Sequence, residues 1–454
     1  MEFSLAQVEA ALSARRHRPS ATTAPADLRV HGWSTDSRTV RAGDLFFALK
    51  GDRYDGHAFA NAALKLGAVA AVVSDRVDTS GGMLLEVADT LDALQKLARW
   101  ARRKWGRPIV AITGSAGKTT TKDIIAQLLS VRFRVGKTVG NLNNHIGVPL
   151  SILRIPADAD VAVLELAMNH PGEIGKLAAI AKPQIGVVTN VGFAHVEAFD
   201  SIEQIAAAKR ELIDSLPATG IAVLNADDER VAAFRAAHSG SSLTYGLSAG
   251  ADVRATDVEM SPEGTEFNAR GVRFHTKLAG RHNLLNILAG LAVVSIFDID
   301  VHELVSQVAA LAPGEMRGER RMLRGVTVLN DCYNSNPEAA RGMIDVLRNE
   351  PAQRRIAVLG EMLELGLMSE ALHRELGRYA ANSGIDVLIG VRGVSRFMVE
   401  EAKIAGLNDH AAYFFEEAEE AGSFLRAFAR AGDAILFKGS RGTHVERALA
   451  RMEA

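Results

Sequence analysis

The sequence predicts an α/β protein of three domains with mostly parallel sheets. Three observations carry this. An apolar strand, Ile109 to Ile112, runs into Gly114-Ser-Ala-Gly-Lys-Thr-Thr120 and then a helix, the strand–turn–helix order of a phosphate-binding loop. Short apolar strands alternate with helical stretches through the last third of the chain, the pattern of βαβ units. The 454 residues suffice for about three domains at ~150 residues each.

Lys and Arg number 52 against 54 Asp and Glu, so no basic excess points to nucleic acid or an anionic membrane. Cys332 is the one cysteine and has no partner for an internal disulfide, which suits a reducing compartment. Met1 to Leu12 reads as a short amphipathic helix with acids in it, unlike a secretory signal. The longest apolar run, 287 to 297, is too short to cross a bilayer. A cytoplasmic, soluble protein without stable membrane insertion is expected.

The first unit, 1–107, is a small α/β domain. Its polar segment runs from Ser34 through Ser37 and Arg38, past a strand at Leu45 to Leu49, to Lys50-Gly51 and Asp55-Gly-His57. Small hydroxyl residues near an arginine suit a phosphorylated or sugar ligand, with Lys50 to His57 as the opposite lip. A polar loop between two strands accounts for the same residues. A helix at Ala58 to Leu66, a strand at Ala68 to Val73 and a helix from Thr90 to Trp105 follow. Gly106-Arg-Pro108 marks the boundary.

The second unit, 108–313, opens on the phosphate loop. Gly114 and Gly117 permit close backbone approaches, and successive amides then face a phosphate at a helix N-terminus. Lys118 meets the outer phosphates and the Thr119 hydroxyl ligates Mg²⁺. Ile112 stands where the general motif has a further glycine, so this is a short form. Asn141, Asn143 and Asn144 lie between glycines, lining a channel or satisfying turns. Glu165 ends the apolar strand Val161 to Leu166, where a buried carboxylate needs a cation, either Mg²⁺ or an arginine. His195 follows the strand Ile185 to Asn190, just past its carboxyl end; a lone histidine there is as readily structural. The helix from Ser201 to Leu216, opened by a Ser201/Gln204 capping box, carries Lys209 within its apolar stripe of Ile202, Ile205, Leu212 and Leu216. A buried ammonium requires an anion, a lowered pKa or modification; a carbamate would make it an anionic metal ligand, and snorkelling to the edge is the alternative. Val253 to Leu278 reads as a small antiparallel flap. Asn283 and Asn286 share one face of the next helix, where amides suit a purine edge or a cap.

The third unit, 314–454, alternates four apolar strands (326–329, 356–359, 387–389 and 434–437) with helices, a Rossmann-like sheet. It lacks a dinucleotide fingerprint. Its first strand ends in Asp331-Cys-Tyr333, a carboxylate for a ribose and a ring for a base. Its last strand ends in Lys438-Gly-Ser440-Arg441, a cationic tip for a carboxylate or phosphate.

Taken together, these segments resemble the Mur ligase family. The resemblance rests on Gly-Ser-Ala-Gly-Lys-Thr-Thr-Thr, Gly-Asn-Leu-Asn-Asn-His-Ile-Gly, Glu-Leu-Ala-Met-Asn, Thr-Asn-Val-Gly-Phe-Ala-His, the Lys209 helix and His-Asn-Leu-Leu-Asn in that order, and it covers all three units. Asp331 to Pro337 and Leu359-Gly-Glu-Met-Leu-Glu-Leu-Gly366 resemble the branch that adds D-alanyl-D-alanine to UDP-N-acetylmuramoyl-tripeptide. The Asp-Asn-Pro-Arg signature of the diamino-acid-adding branch is absent. Folylpolyglutamate synthase shares the phosphate-loop plan but not the N-terminal unit.

The resemblance implies an ATP-dependent ligase of peptidoglycan precursor synthesis, expected as a monomer, that makes an amide through an acyl phosphate. It implies ATP on Gly114, Ser115, Ala116, Gly117, Lys118, Thr119 and Thr120, with the adenosine near Asn283, Asn286, Arg317, Asp331 and Tyr333. Mg²⁺ falls to Thr119 and Glu165, and a second ion to His195 and carbamylated Lys209. The UDP-sugar-peptide substrate falls to Ser37, Arg38, Lys50, Asp55 and His57, with Asn141, Asn144, Lys438, Ser440 and Arg441 as further contacts. The alternatives are the diamino-acid-adding sister and, in another class, a phosphate-loop switch that hydrolyses nucleotide to change shape.

Overall fold

Alternation along the strand Ile109–Thr113 divides the central core in two. Ile109 and Ala111 pack with the helices Thr90–Trp105, Gly147–Leu153, Glu173–Ala181 and Ile202–Asp214. Val110 and Ile112 pack with Lys118–Leu129 and Arg281–Ile296 on the other face. Successive strand side chains point to opposite faces, and helices cover both, so such strands read as unbroken apolar runs. The structure, a computed structural model, describes residues 1–17, 28–51, 54–79, 82–194 and 196–454.

The central sheet has nine strands, in the order Val272–Thr276, Gly264–Ala269, Val253–Ser261, Ser241–Gly246, Ile221–Asn225, Ile185–Val188, Ile109–Thr113, Val161–Glu165 and Val135–Lys137. Pairing is parallel except at the flap, where 253–261, 264–269 and 272–276 run antiparallel. The chain leaves Ile109–Thr113 towards one edge and returns to its other side, so the crevice at this strand's carboxyl end is a topological switch point, where open α/β sheets hold ligands.

A six-stranded C-terminal sheet is ordered Glu319–Leu323, Val326–Asp331, Asp433–Lys438, Arg354–Gly360, Val387–Val391 and Ala412–Phe415, parallel but for the first pair. The first and last of these add to the four strands expected. Glu319–Leu323 is an antiparallel edge with mostly exposed side chains, so it lacks the apolar run that marks a buried strand. An N-terminal sheet of five strands, Arg15–His17, Leu84–Glu86, Ala70–Val73, Asp44–Phe47 and Gly32–Ser34, is parallel except at Arg15–His17. The first helix begins at Leu5, not Met1, because Ser4 and Gln7 form a capping box and Phe3–Ser4 pairs with Arg29–Val30. Among the described residues no helix is long and apolar enough to cross a membrane.

Candidate active site

The phosphate loop lies at the switch point. Gly114 has φ +149° and Gly117 has φ +80°; a Cβ at Gly114 would sit 1.9 Å from Thr189 Oγ1, and one at Gly117 2.6 Å from Asn286 Oδ1. Only glycine fits either place. Ser115 and Ala116 donate their amides to Asn190, at 3.0 Å to its carbonyl and 2.8 Å to Oδ1. The amides of Gly117, Lys118, Thr119 and Thr120 have no acceptor among the described residues, so the anion cradle begins later than the sequence suggests. Lys118 Nζ rests on Gly114 O at 2.7 Å. Burial lowers its pKa, offset in part by Glu165 and reinforced by Arg317.

Glu165 is buried at 2 % exposure. Its Oε2 accepts from Thr119 Oγ1 at 2.7 Å and its Oε1 from Asn143 Nδ2 at 2.8 Å. No Lys or Arg among the described residues pairs with it, which removes the arginine alternative. Lys118 and Lys122 act on its charge from a distance, but a buried carboxylate with only two neutral donors in contact still favours a cation beside it. Hard oxygens beside a phosphate cradle are the donor set Mg²⁺ takes.

Lys209 is also buried, at 2 % exposure, and its ammonium has no hydrogen-bond partner among the described residues. Burial, and then the Lys118 charge, drive its pKa well below the usual lysine value. The side chain therefore does not snorkel. It is not among the residues that line the cleft. His195 lies outside the described residues.

A cleft of about 840 Å³ runs from the phosphate loop to the C-terminal sheet. Asn283, Asn286, Arg317, Asp331 and Tyr333 all line it. The Arg317 guanidinium stacks on the Tyr333 ring at 3.7 Å. Asn141 and Asn144 line it too, although Asn144 Oδ1 also caps Gly147 N at 2.9 Å. Asn143, between them, is the one that touches Glu165; three amides in four residues gave no sequence signal to separate them.

Lys438 and Ser440 line the cleft, and both are already engaged by neighbours. Lys438 is buried at the cleft wall, with Nζ paired to Asp331 and 2.9 Å from Asn334 O; a buried ammonium takes the nearest carboxylate, so it holds Asp331 in place. Ser440 Oγ accepts from Leu363 N at 2.9 Å and donates to Ser335 O. Arg441 stays exposed at the rim.

Ser37, Arg38, Lys50, Asp55 and His57 are not brought into this cleft. Arg38 pairs with Asp36 and holds its pKa at about 2. His57 is buried with both ring nitrogens used: Nδ1 faces Asp55 at 2.6 Å and Nε2 accepts from Ser74 N at 2.9 Å. That makes it a brace for the lip and leaves Lys50, near Asp75 at 3.6 Å, as the cation there.

Three family models match along the chain: a Mur ligase family catalytic domain over residues 29–102, a Mur ligase middle domain over 112–294, and a Mur ligase glutamate ligase domain over 315–441. A UDP-N-acetylmuramoyl-tripeptide–D-alanyl-D-alanine ligase of Bacillus subtilis is 36% identical over 92% of this chain and 92% of its own length. The enzyme of that name from Escherichia coli is 36% identical over 81% of this chain and 82% of its own. The crystal structure of MurF from Acinetobacter baumannii superposes with a TM-score of 0.91 at 30% identity, covering 100% of this chain and 99% of that one. MurF from Thermotoga maritima, solved in complex with ADP, gives 0.83 at 33% identity over 93% and 97%. The chain belongs to the Mur ligase family, on its UDP-N-acetylmuramoyl-tripeptide–D-alanyl-D-alanine ligase branch.

Proposed function

We propose that the protein is an ATP-dependent ligase that joins D-alanyl-D-alanine to the terminal carboxylate of UDP-N-acetylmuramoyl-tripeptide in peptidoglycan precursor synthesis. The observation that carries this beyond family membership is the buried Glu165–Thr119 pair beside a phosphate cradle, with no ion pair in contact among the described residues.

The chemistry follows from the acid. A carboxylate resists amines until one oxygen becomes a leaving group. Its oxygen attacks the γ-phosphorus of ATP, ADP departs, and an acyl phosphate results. The dipeptide amine then attacks the acyl carbon, phosphate leaves with the carboxylate oxygen, and a proton is released. Positioning and charge neutralisation do most of this work. The Gly117 to Thr120 amides and Lys118 hold the phosphates. Arg317 and Tyr333 flank the base, with Asn283 and Asn286 on its edge, and the Lys438 pair fixes Asp331 towards the ribose. Thr119 and Glu165 would hold Mg²⁺, which neutralises phosphate charge. Lys209, whose burial favours the neutral amine, adds CO₂ as a carbamate with loss of a proton and presents an anion towards the Lys118 side of the site.

The nucleotide-sugar end of the substrate is placed at Ser37, Arg38 and the Lys50 lip, outside the cleft, as a long donor requires. Domain boundaries are placed near 107 and 313; Gly106, at φ +71°, stops the helix Thr90–Trp105 next to the first. Incubation with ATP, UDP-N-acetylmuramoyl-tripeptide and D-alanyl-D-alanine should release ADP and yield the pentapeptide mass. Free diamino acids with the dipeptide precursor should not. ADP release that needs no acceptor would favour a nucleotide switch.

A further inference from the structure

Three consecutive amides follow the strand Ile185–Val188 by a few residues, and each is taken by a side chain from a different element. Val191 N donates to Asp228 Oδ2 at 2.7 Å, Gly192 N to Ser115 Oγ at 2.8 Å, and Phe193 N to Glu338 Oε1 at 3.0 Å. Asp228 and Ser115 belong to loops of the central sheet. Glu338 belongs to the C-terminal sheet's first helix, Pro337–Arg348. Asn336, the cap of that helix, crosses the same seam, its Nδ2 3.4 Å from Ser115 O. A Cβ at Gly192 would lie 2.4 Å from the Glu338 carboxyl carbon, so a side chain there would push the carboxylate out of its place.

Resting on the ligase function proposed above, we infer that Glu338 is a positioning residue for ligation. Its carboxylate closes on the Phe193 amide as the C-terminal sheet docks, and so sets the 191–194 segment and the Ser115 turn of the phosphate loop. The transmission is short. Ser115 Oγ accepts from Gly192 N and donates to Gly192 O, both at 2.8 Å, so the phosphate loop is bonded to the residue next to the one Glu338 grips.

Undocked, the Glu338 carboxylate and the Phe193 amide both face water. Docking exchanges that hydration for one charge-assisted bond, and it leaves Glu338 Oε2 buried with no partner among the described residues. An unpaired buried oxygen makes docking costly unless ligands in the cleft offset it. Closure therefore responds to substrates rather than standing permanently. It also aligns acid and phosphate only once the acceptor side is shut, which keeps water from the acyl phosphate. A first-turn acid can instead serve only the helix dipole.

The test compares Glu338→Ala, Glu338→Gln, Gly192→Ala and the Gly192→Ala/Glu338→Ala double variant with the wild type. It measures kcat, ADP affinity by calorimetry, and melting temperature. Glu338→Ala should lose about 10- to 100-fold in kcat while ADP affinity changes less than about threefold. Glu338→Gln, whose amide oxygen can still accept, should recover most of the loss. Gly192→Ala should be at least as slow as Glu338→Ala, and the double variant no slower than Gly192→Ala alone, because removing the carboxylate frees the space the new methyl needs. A lowered melting temperature with unchanged kcat would assign Glu338 to the helix alone and overturn the inference. So would kcat within twofold of wild type in both single variants. Absence of ligation by the wild type would instead sink the ligase function itself.

Discussion

Among the described residues, Glu165 is a buried carboxylate with no ion pair in contact and Lys209 a buried amine with no hydrogen-bond partner. At Glu165 the missing partner is a cation. Glu165→Gln keeps the shape and removes the charge, so ligation should fall by about 10²- to 10³-fold while the melting temperature holds or rises. Steady-state ADP release and a thermal melt check both, and near-wild-type turnover would exclude a metal role. At Lys209 the missing partner is an anion. The unfolded chain keeps this proton up to the ordinary lysine pKa of about 10.5, and the folded chain gives it up well below that. Between those two values the unfolded state binds more protons, so stability rises with pH there. Lys209→Met removes that contribution. In CO₂-free buffer the variant should melt higher than wild type at pH 7, by about 1–2 kcal/mol of stability, with the gap narrowing towards pH 10, and it should not ligate. Parallel stability curves, or retained ligation, would contradict the assignment.

At the scale of elements, the phosphate loop was legible because its causes are local: an apolar strand, two glycines and a lysine at a helix start. Gly117→Ala should cost about 1–3 kcal/mol from its left-handed backbone, and the methyl would meet Asn286. ADP affinity by calorimetry should drop more than about tenfold; binding equal to wild type would mean the loop can re-form around a side chain. The parallel strands were readable for a related reason, since burial on both faces writes itself as an apolar run. Glu319–Leu323 was not, because an exposed edge strand resembles a polar loop. The limits at the site are physical too. Asn143 differs from Asn141 and Asn144 only by where a turn aims it. Lys438 looked like a surface cation until the fold set Asp331 beside it, and Glu338 reads in sequence as an ordinary first-turn acid.

At the scale of the molecule, one cleft takes walls from two sheets. The stacked Arg317–Tyr333 pair and Lys118 and Asn286 line the same cleft, and among the hydrogen bonds of the described residues that cross the seam are those of Asn336, Glu338 and the Glu364 carbonyl, which accepts from Glu197 N at 3.4 Å. Because the cleft draws its walls from both sheets, ligands there bind two parts at once, and hinge motion of the C-terminal part is the expected result. Small-angle scattering without ligands should show a more extended particle than this structure. Nucleotide together with the tripeptide donor should shift the profile towards the one calculated from it. Superimposable profiles would argue against closure. The central claim, that the protein makes an acid reactive by joining it to the γ-phosphoryl group, has a direct measurement. UDP-N-acetylmuramoyl-tripeptide labelled with ¹⁸O in its terminal carboxylate should return one labelled oxygen in the inorganic phosphate for each amide formed. Phosphate free of label, with amide still produced, would contradict the account.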